Sequence, residues 1–162
     1  MKTTPDISIQ RSIDLNVSQA RAFEVFVHQM GTWWDLDNKI LGDSPGQTAI
    51  VEPHVGGRWF ERDKNGVECD WGRVLKYDPN SRITLDWQIS LTWQYDPNLH
   101  TEVDVAFVAT SPNATRVELA HRGLERYGNQ AEQMRSIFDS DNGWAGILRD
   151  YGLSVNSTTA AQ

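Results

Sequence analysis

Arg82-Ile83-Thr84-Leu85-Asp86-Trp87-Gln88-Ile89-Ser90-Leu91-Thr92-Trp93 is the stretch that decides the fold class. Every second residue from Ile83 to Trp93 is large and apolar, and Thr, Asp, Gln, Ser and Thr stand between them. A period of two belongs to a β-strand with one face on a core and the other toward water. The run lies between Asp78-Pro79-Asn80-Ser81 and Asp96-Pro97-Asn98, where proline presets the backbone of a turn. Further out the alternation recurs. Val103, Val105 and Phe107 oppose Glu102 and Asp104, and Val117, Leu119 and His121 oppose Arg116, Glu118 and Arg122. Asn65-Gly66 supplies the positive φ of a tight hairpin, and Ser111-Pro112-Asn113-Ala114 marks another turn. This punctuation predicts strands near 48–52, 57–64, 67–77, 82–93, 101–110 and 114–122, a meander with one apolar face.

The flanks complete the architecture. Ile7, Ile9, Ile13 and Leu15 share one parity, broken by Arg11, which predicts a first strand over 7–15. Ser18 is a good N-cap for a helix carrying Ala22, Phe23, Phe26, Val27 and Met30, with Gly31 as its stop. Residues 35–47, with Gly42, Pro45 and Gly46, read as loop. Met134, Ile137, Phe138, Trp144, Ile147, Leu148, Tyr151 and Val155 form a stripe at helical spacing that covers the apolar face. Gly143, Gly146 and Gly152 each weaken that helix by about 1 kcal/mol, which fits a close approach or a bend near Gly143. The expected fold is α+β: a curled antiparallel sheet of six or seven strands around a long C-terminal helix, with a short helical insert after the first strand. One domain over 1–155 and a flexible tail over 156–162 are expected.

Composition narrows the function. The chain has 162 residues and a net charge of -7, which disfavours a nucleic-acid backbone as partner. No apolar run approaches the ~20 residues of a membrane span. The first residues contain no apolar segment of the secretory kind, so a cytoplasmic setting is expected. The single Cys69 excludes an internal disulfide and a multi-thiolate metal site. His28, His54, His100 and His121 lack the spacing of a zinc site, and no nucleotide-binding glycine motif or serine nucleophile elbow is present. No cofactor and no metal are expected. Seven tryptophans are an unusual content for this length and suit either a packed aromatic core or the walls of a cavity.

Phe23-Glu24-Val25-Phe26 leading to Trp33-Trp34, then Gly56-Gly57-Arg58-Trp59, then Gly72-Arg73-Val74-Leu75-Lys76-Tyr77-Asp78-Pro79 with Arg82, Ile83 and Trp87, and finally Glu118-Leu119-Ala120-His121-Arg122-Gly123-Leu124 and Gly143-Trp144 occur in that order. The series resembles the helix-grip fold of the START-like (SRPBCC) superfamily over about residues 7–155, in the branch named after the activator of the ninety-kilodalton heat-shock protein ATPase. The resemblance implies a cavity between sheet and C-terminal helix that holds lipids, sterols, polyketides or other apolar molecules. Some members are cyclases or dehydratases. It does not carry chaperone activation with it, because the eukaryotic activator has a further domain for that contact.

The site must therefore be argued from residues. Trp59, Trp71, Trp87 and Trp93 lie on strands, and with Phe107 and Trp144 they could line an aromatic pocket or fill a core. His121 has the inward parity of Leu119. It serves as a cavity donor or general base, or as a strand-end histidine bonded to backbone. Asp141 falls on the inward stripe of an unbroken helix and would be a polar anchor with a raised pKa. Alternatively, the Asp139–Gly143 cluster starts a new helix and Asp141 caps it. Arg73 shares the parity of Trp71, and either faces a ligand carboxylate, bridges Asp70 or Glu68, or points outward after a bulge. Trp33 and Trp34 are expected near the cavity mouth, one of them exposed as a gate or contact. Cys69 is expected to be inert. These residues predict a small apolar or aromatic ligand, held by apolar burial at about 25 cal/mol per Å² and oriented by His121 and Asp141. A cyclase or dehydratase using His121, a protein-interaction module and a homodimer are the alternatives.

Overall fold

A computed structural model describes residues 7–34, 48–90, 92, 94–140 and 143–160, with side chains through Val155. Strand β1 (Ile9–Leu15) leads into helix α1 (Gln19–His28) and a 3-10 turn at Met30–Thr32. Strands β2 (Thr48–Val51), β3 (Arg58–Arg62), β4 (Glu68–Asp78), β5 (Arg82–Trp87), β6 (Thr101–Ser111) and β7 (Ala114–Arg122) follow. A 3-10 segment at Leu124–Gln130 then precedes helices α2 (Ala131–Phe138) and α3 (Trp144–Ala160).

The strands form one seven-stranded sheet in the order β1-β7-β6-β5-β4-β3-β2, every pair antiparallel. The meander built by the turns accounts for β2 to β7. The first strand joins on the far side of the last, with Ile9 opposite His121 and Leu15 opposite Thr115. Ser18 caps α1 by accepting from the Arg21 N–H at 3.2 Å. Gly66 has φ 83° in the β3–β4 hairpin, as Asn-Gly requires. Helices α1 and α3 cover the inner face, and the Tyr151 hydroxyl ties them by donating to the Ala22 carbonyl at 2.6 Å.

The structure departs from the sequence reading at several points. Strand β5 ends at Trp87 rather than Trp93. Trp87 pairs with Thr101, the first residue of β6, so the ladder has no partner to offer beyond it. The chain folds back instead: Asp96 N–H donates to the Gln88 carbonyl at 2.8 Å, and Ile89 bridges Tyr95. Leu91 and Trp93 lie outside the described residues.

The outer face is drier than the alternation predicts, since Thr84, Asp86, Gln88 and Asp104 are buried. Arg82 and Arg122 cover Asp104, and His100 covers Asp86. Trp33 and Trp34 are both buried, so neither is an exposed gate. Arg73 is exposed. The register slips between Trp59 and Phe60 so that Trp71 is the extra residue of β4, and strand parity changes there.

The C-terminal cover comes in two helical pieces. The carbonyl and carboxylate of Asp139, which closes α2, both accept from Arg11 of β1, at 2.8 Å and 2.7 Å from Nη2. That contact explains the polar break in the parity of β1. The bend falls at Gly143, where a Cβ would stand 2.2 Å from the Phe138 carbonyl oxygen. Helix α3 runs to Ala160, through most of the segment expected to be a tail.

Candidate functional site

The interior between sheet and α3 is a cluster of indoles. Trp34, from the turn after α1, meets Trp71 at 4.9 Å between ring centroids, and Trp59 and Trp144 at 6.1 Å. Trp59 meets Trp71 and Trp87 at 5.3 Å, and Trp87 lies 6.4 Å from Trp144. All five are buried. Their faces are mostly tilted or edge-on, the arrangement that aromatic quadrupoles favour. Phe107 is buried further along, against Phe23 at 5.2 Å and Phe26 at 5.6 Å. Asp141, like Trp93, lies outside the described residues.

Each indole carries one N–H, so its partner can be identified directly. Trp33 donates to the Val25 carbonyl at 2.8 Å and Trp59 to the Met30 sulfur at 3.3 Å. Trp71 donates to Glu61 Oε1 at 3.0 Å, which accounts for a buried carboxylate on β3. Trp144 donates to His121 Nδ1 at 3.0 Å. The N–H groups of Trp34 and Trp87 are buried and make no hydrogen bond to the described residues. Tyr127, which donates to the Ile89 carbonyl at 2.6 Å, has its phenol pKa pushed up by burial. The Trp87 N–H opposes that rise from outside ordinary hydrogen-bond geometry.

His121 is completely buried, and its hydrogen bonds fix its chemistry. Because Nδ1 accepts from Trp144, the ring proton sits on Nε2, which donates to Thr101 Oγ1 at 2.8 Å. Thr101 passes its own proton to the Trp87 carbonyl at 2.9 Å. Donors and acceptors along Trp144, His121, Thr101 and the Trp87 carbonyl therefore match at every link. Phe138 packs against the imidazole at 4.6 Å between ring centroids, with the planes tilted by 44°. Burial lowers the His121 pKa to about 3, so the ring is neutral at physiological pH. As placed, it offers no free nitrogen to a substrate. Thr101 carries no motif signal in the sequence. It is diagonal to His121 because Val103 is the directly opposed residue, a register that alternation does not reveal.

Elsewhere the described residues offer little reactive chemistry. Cys69 is half-buried, and burial with help from Glu61 and Asp70 pushes its thiol up to about 11. Such a thiol is a weak nucleophile. No group of three or more His, Cys, Asp or Glu among the described residues is placed to hold a metal. Two concavities are described, of about 440 Å³ on the outer face of the sheet and about 330 Å³ between β1 and α3. Neither is lined by a tryptophan.

Residues 16–150 match the model of a family described as activator of Hsp90 ATPase homolog 1-like protein. The chain belongs to that family. This activator-homolog family sits in the START-like superfamily, and solved structures agree. One is an anthrahydroquino-γ-pyrone synthase, Txn09, solved as a complex: 32% identical, covering 91% of this chain and 96% of that one, at a TM-score of 0.62. A second is CalC from Micromonospora echinospora, a self-sacrificing resistance protein, 25% identical over 93% of this chain and 95% of that one, at a TM-score of 0.69. Protein MLL2253 from Mesorhizobium loti shares the fold at 16% identity, over 95% and 98% of the two chains and a TM-score of 0.63. No curated protein sequence matches the chain. No helix among the described residues is long and apolar enough to cross a membrane.

Proposed function

We propose that this activator-homolog family member is a cytoplasmic binding protein for a small, oxygen-bearing aromatic molecule, held between the sheet and α3. The observation that carries the reading is the indole cluster with two buried N–H donors, Trp34 and Trp87, that make no hydrogen bond of ordinary geometry among the described residues. A buried donor without an acceptor costs about 1–3 kcal/mol, and a ligand oxygen would remove that cost. Flat aromatic faces would stack on Trp59, Trp71 and Trp144, whose rings surround those donors. The name of the similar synthase describes a fused, oxygenated aromatic, which supports this ligand class. The rings pack against one another at 4.9 to 6.4 Å between centroids, so entry of a ligand among them requires them to part. The separation of α2 from α3 allows the cover to shift without breaking a helix.

Binding is favoured over a cyclase or dehydratase using His121, because that imidazole is neutral and bonded at both nitrogens. It is favoured over an interaction module because Trp33 and Trp34 are buried and present no aromatic handle. The test is a titration with hydroxyanthraquinones, sterols and fatty acids, followed by intrinsic fluorescence. Saturable quenching by the hydroxyanthraquinones is expected, weakened about tenfold in Trp87→Phe, which keeps a ring and removes the N–H. Absence of saturation with every class would overturn the reading.

A further inference from the structure

The second feature lies on the opposite face of the sheet, remote from the indoles. Asp104 of β6 has a side chain only 7% exposed and accepts four hydrogen bonds. Arg82 Nε and Nη2 reach its two oxygens at 2.9 and 2.8 Å. Thr84 Oγ1 donates to it at 2.9 Å, and Arg122 Nη2 at 2.8 Å. The sheet register explains the convergence. Asp104 is opposed by Thr84 on β5 and Ala120 on β7, while Arg82 and Arg122 stand one outward position away in opposite directions along the strands. Burial alone would raise the Asp104 carboxyl, but the bonds from Arg82 and Thr84 and the charges of both arginines outweigh it and hold it low. The carboxylate is therefore a permanent anchor that fixes two guanidinium groups.

Those groups are not used up. Their side chains remain 52% and 47% exposed, and most of their N–H donors meet no acceptor among the described residues. They border the 440 Å³ concavity, which exists because Ala106 and Ala120 are too small to fill the outer face between β5 and β1. Gln10 and Ser12 of β1 close its far side with uncharged polar groups. Glu118, exposed and without an ion pair among the described residues, is the one carboxylate on its rim besides Asp104.

We propose that this concavity is a binding site for a small oxyanion, a carboxylate or phosphoryl group held by Arg82 and Arg122. Guanidinium forks match the planar spacing of such oxygens, and an arginine already immobilised by a carboxylate loses little further freedom on binding. The site is independent of the aromatic ligand. Glu118 sets its strength by like-charge repulsion.

The test follows the Arg82 and Arg122 side-chain N–H signals by ¹⁵N NMR during titration with sodium phosphate, then sodium acetate, at fixed ionic strength balanced with chloride. Saturable shifts of both signals with either anion are expected, and the anion that saturates first separates a phosphoryl from a carboxylate site. Arg122→Gln is expected to weaken binding about tenfold. Glu118→Gln, at an exposed position that leaves the network intact, is expected to tighten it about threefold, the effect of one exposed charge. Shifts that rise linearly with both salts, titrations unchanged in Arg122→Gln, or weaker binding in Glu118→Gln would each overturn the proposal.

Discussion

Replacing His121 by leucine probes the buried relay through stability and through pH together. Complete burial moves the imidazole pKa from its ordinary 6.5 down to about 3 in the folded protein. The unfolded chain titrates at the ordinary value. Between those limits the unfolded state binds a proton that the native state refuses. Stability is therefore full above pH 6.5, falls as the pH drops below it, and levels off only near the folded-state value. One such proton is worth about 1.4 kcal/mol per pH unit, so from pH 7 to pH 5 the protein loses about 2 kcal/mol through His121 alone. Leucine takes up no proton, and that contribution disappears. At pH 7 the variant is itself weaker, by about 1–3 kcal/mol, because the Trp144 N–H loses its acceptor and the Thr101 oxygen its donor. Urea unfolding at the two pH values, read by far-ultraviolet circular dichroism, measures both effects, and the carboxylates cancel between the proteins. The expected result is a variant less stable at pH 7 whose loss on acidification is about 2 kcal/mol smaller. Equal acid losses would refute the reasoning, since the folded protein would then protonate His121 as easily as the unfolded chain.

Substitutions at three other positions test the packing and capping that shape the fold. Gly72→Ala places a Cβ 1.5 Å from the Asp86 carbonyl oxygen, an overlap that only backbone movement can relieve. A loss of about 3 kcal/mol or more is expected by denaturant titration, whereas a loss below 1 kcal/mol would show that the β4–β5 approach is looser than described. Tyr151→Phe removes the hydroxyl that links α3 to the Ala22 carbonyl, and thermal melting should fall by about 2–4 °C. Ser18→Ala should cost about 1 kcal/mol and Ser18→Asn almost nothing, because only a side-chain acceptor for the Arg21 N–H is needed.

The fold was readable where each residue's role depends on its immediate neighbours. The alternation in β6 and β7, the Asn65-Gly66 hairpin, the Ser18 cap and the bend at Gly143 are all local decisions. The reading failed where a distant partner decides. Alternation continues to Trp93, but alternation reports a face and cannot report that β6 begins only at Thr101. Alternation marks polar outward residues as wet, yet Asp104 and Asp86 are dried by Arg82, Arg122 and His100. The inward parity of Trp87 and His121 was visible, and both are buried. Trp34 joins the same cluster from an irregular segment that has no period to read, and the bulge at Trp71 that turns Arg73 outward leaves no local mark.

The crowding of indoles has an optical consequence. Ring centroids 4.9 to 6.4 Å apart lie far inside the range over which excitation hops from one indole to the next. Trp34, Trp59, Trp71, Trp87 and Trp144 therefore emit as a shared antenna. Polarisation should be lost faster than the protein tumbles, and light captured by any of the five can end on any other. A single acceptor lodged against one ring would darken all of them. The emission of the whole cluster would therefore report the arrival of such an acceptor at any one of its rings.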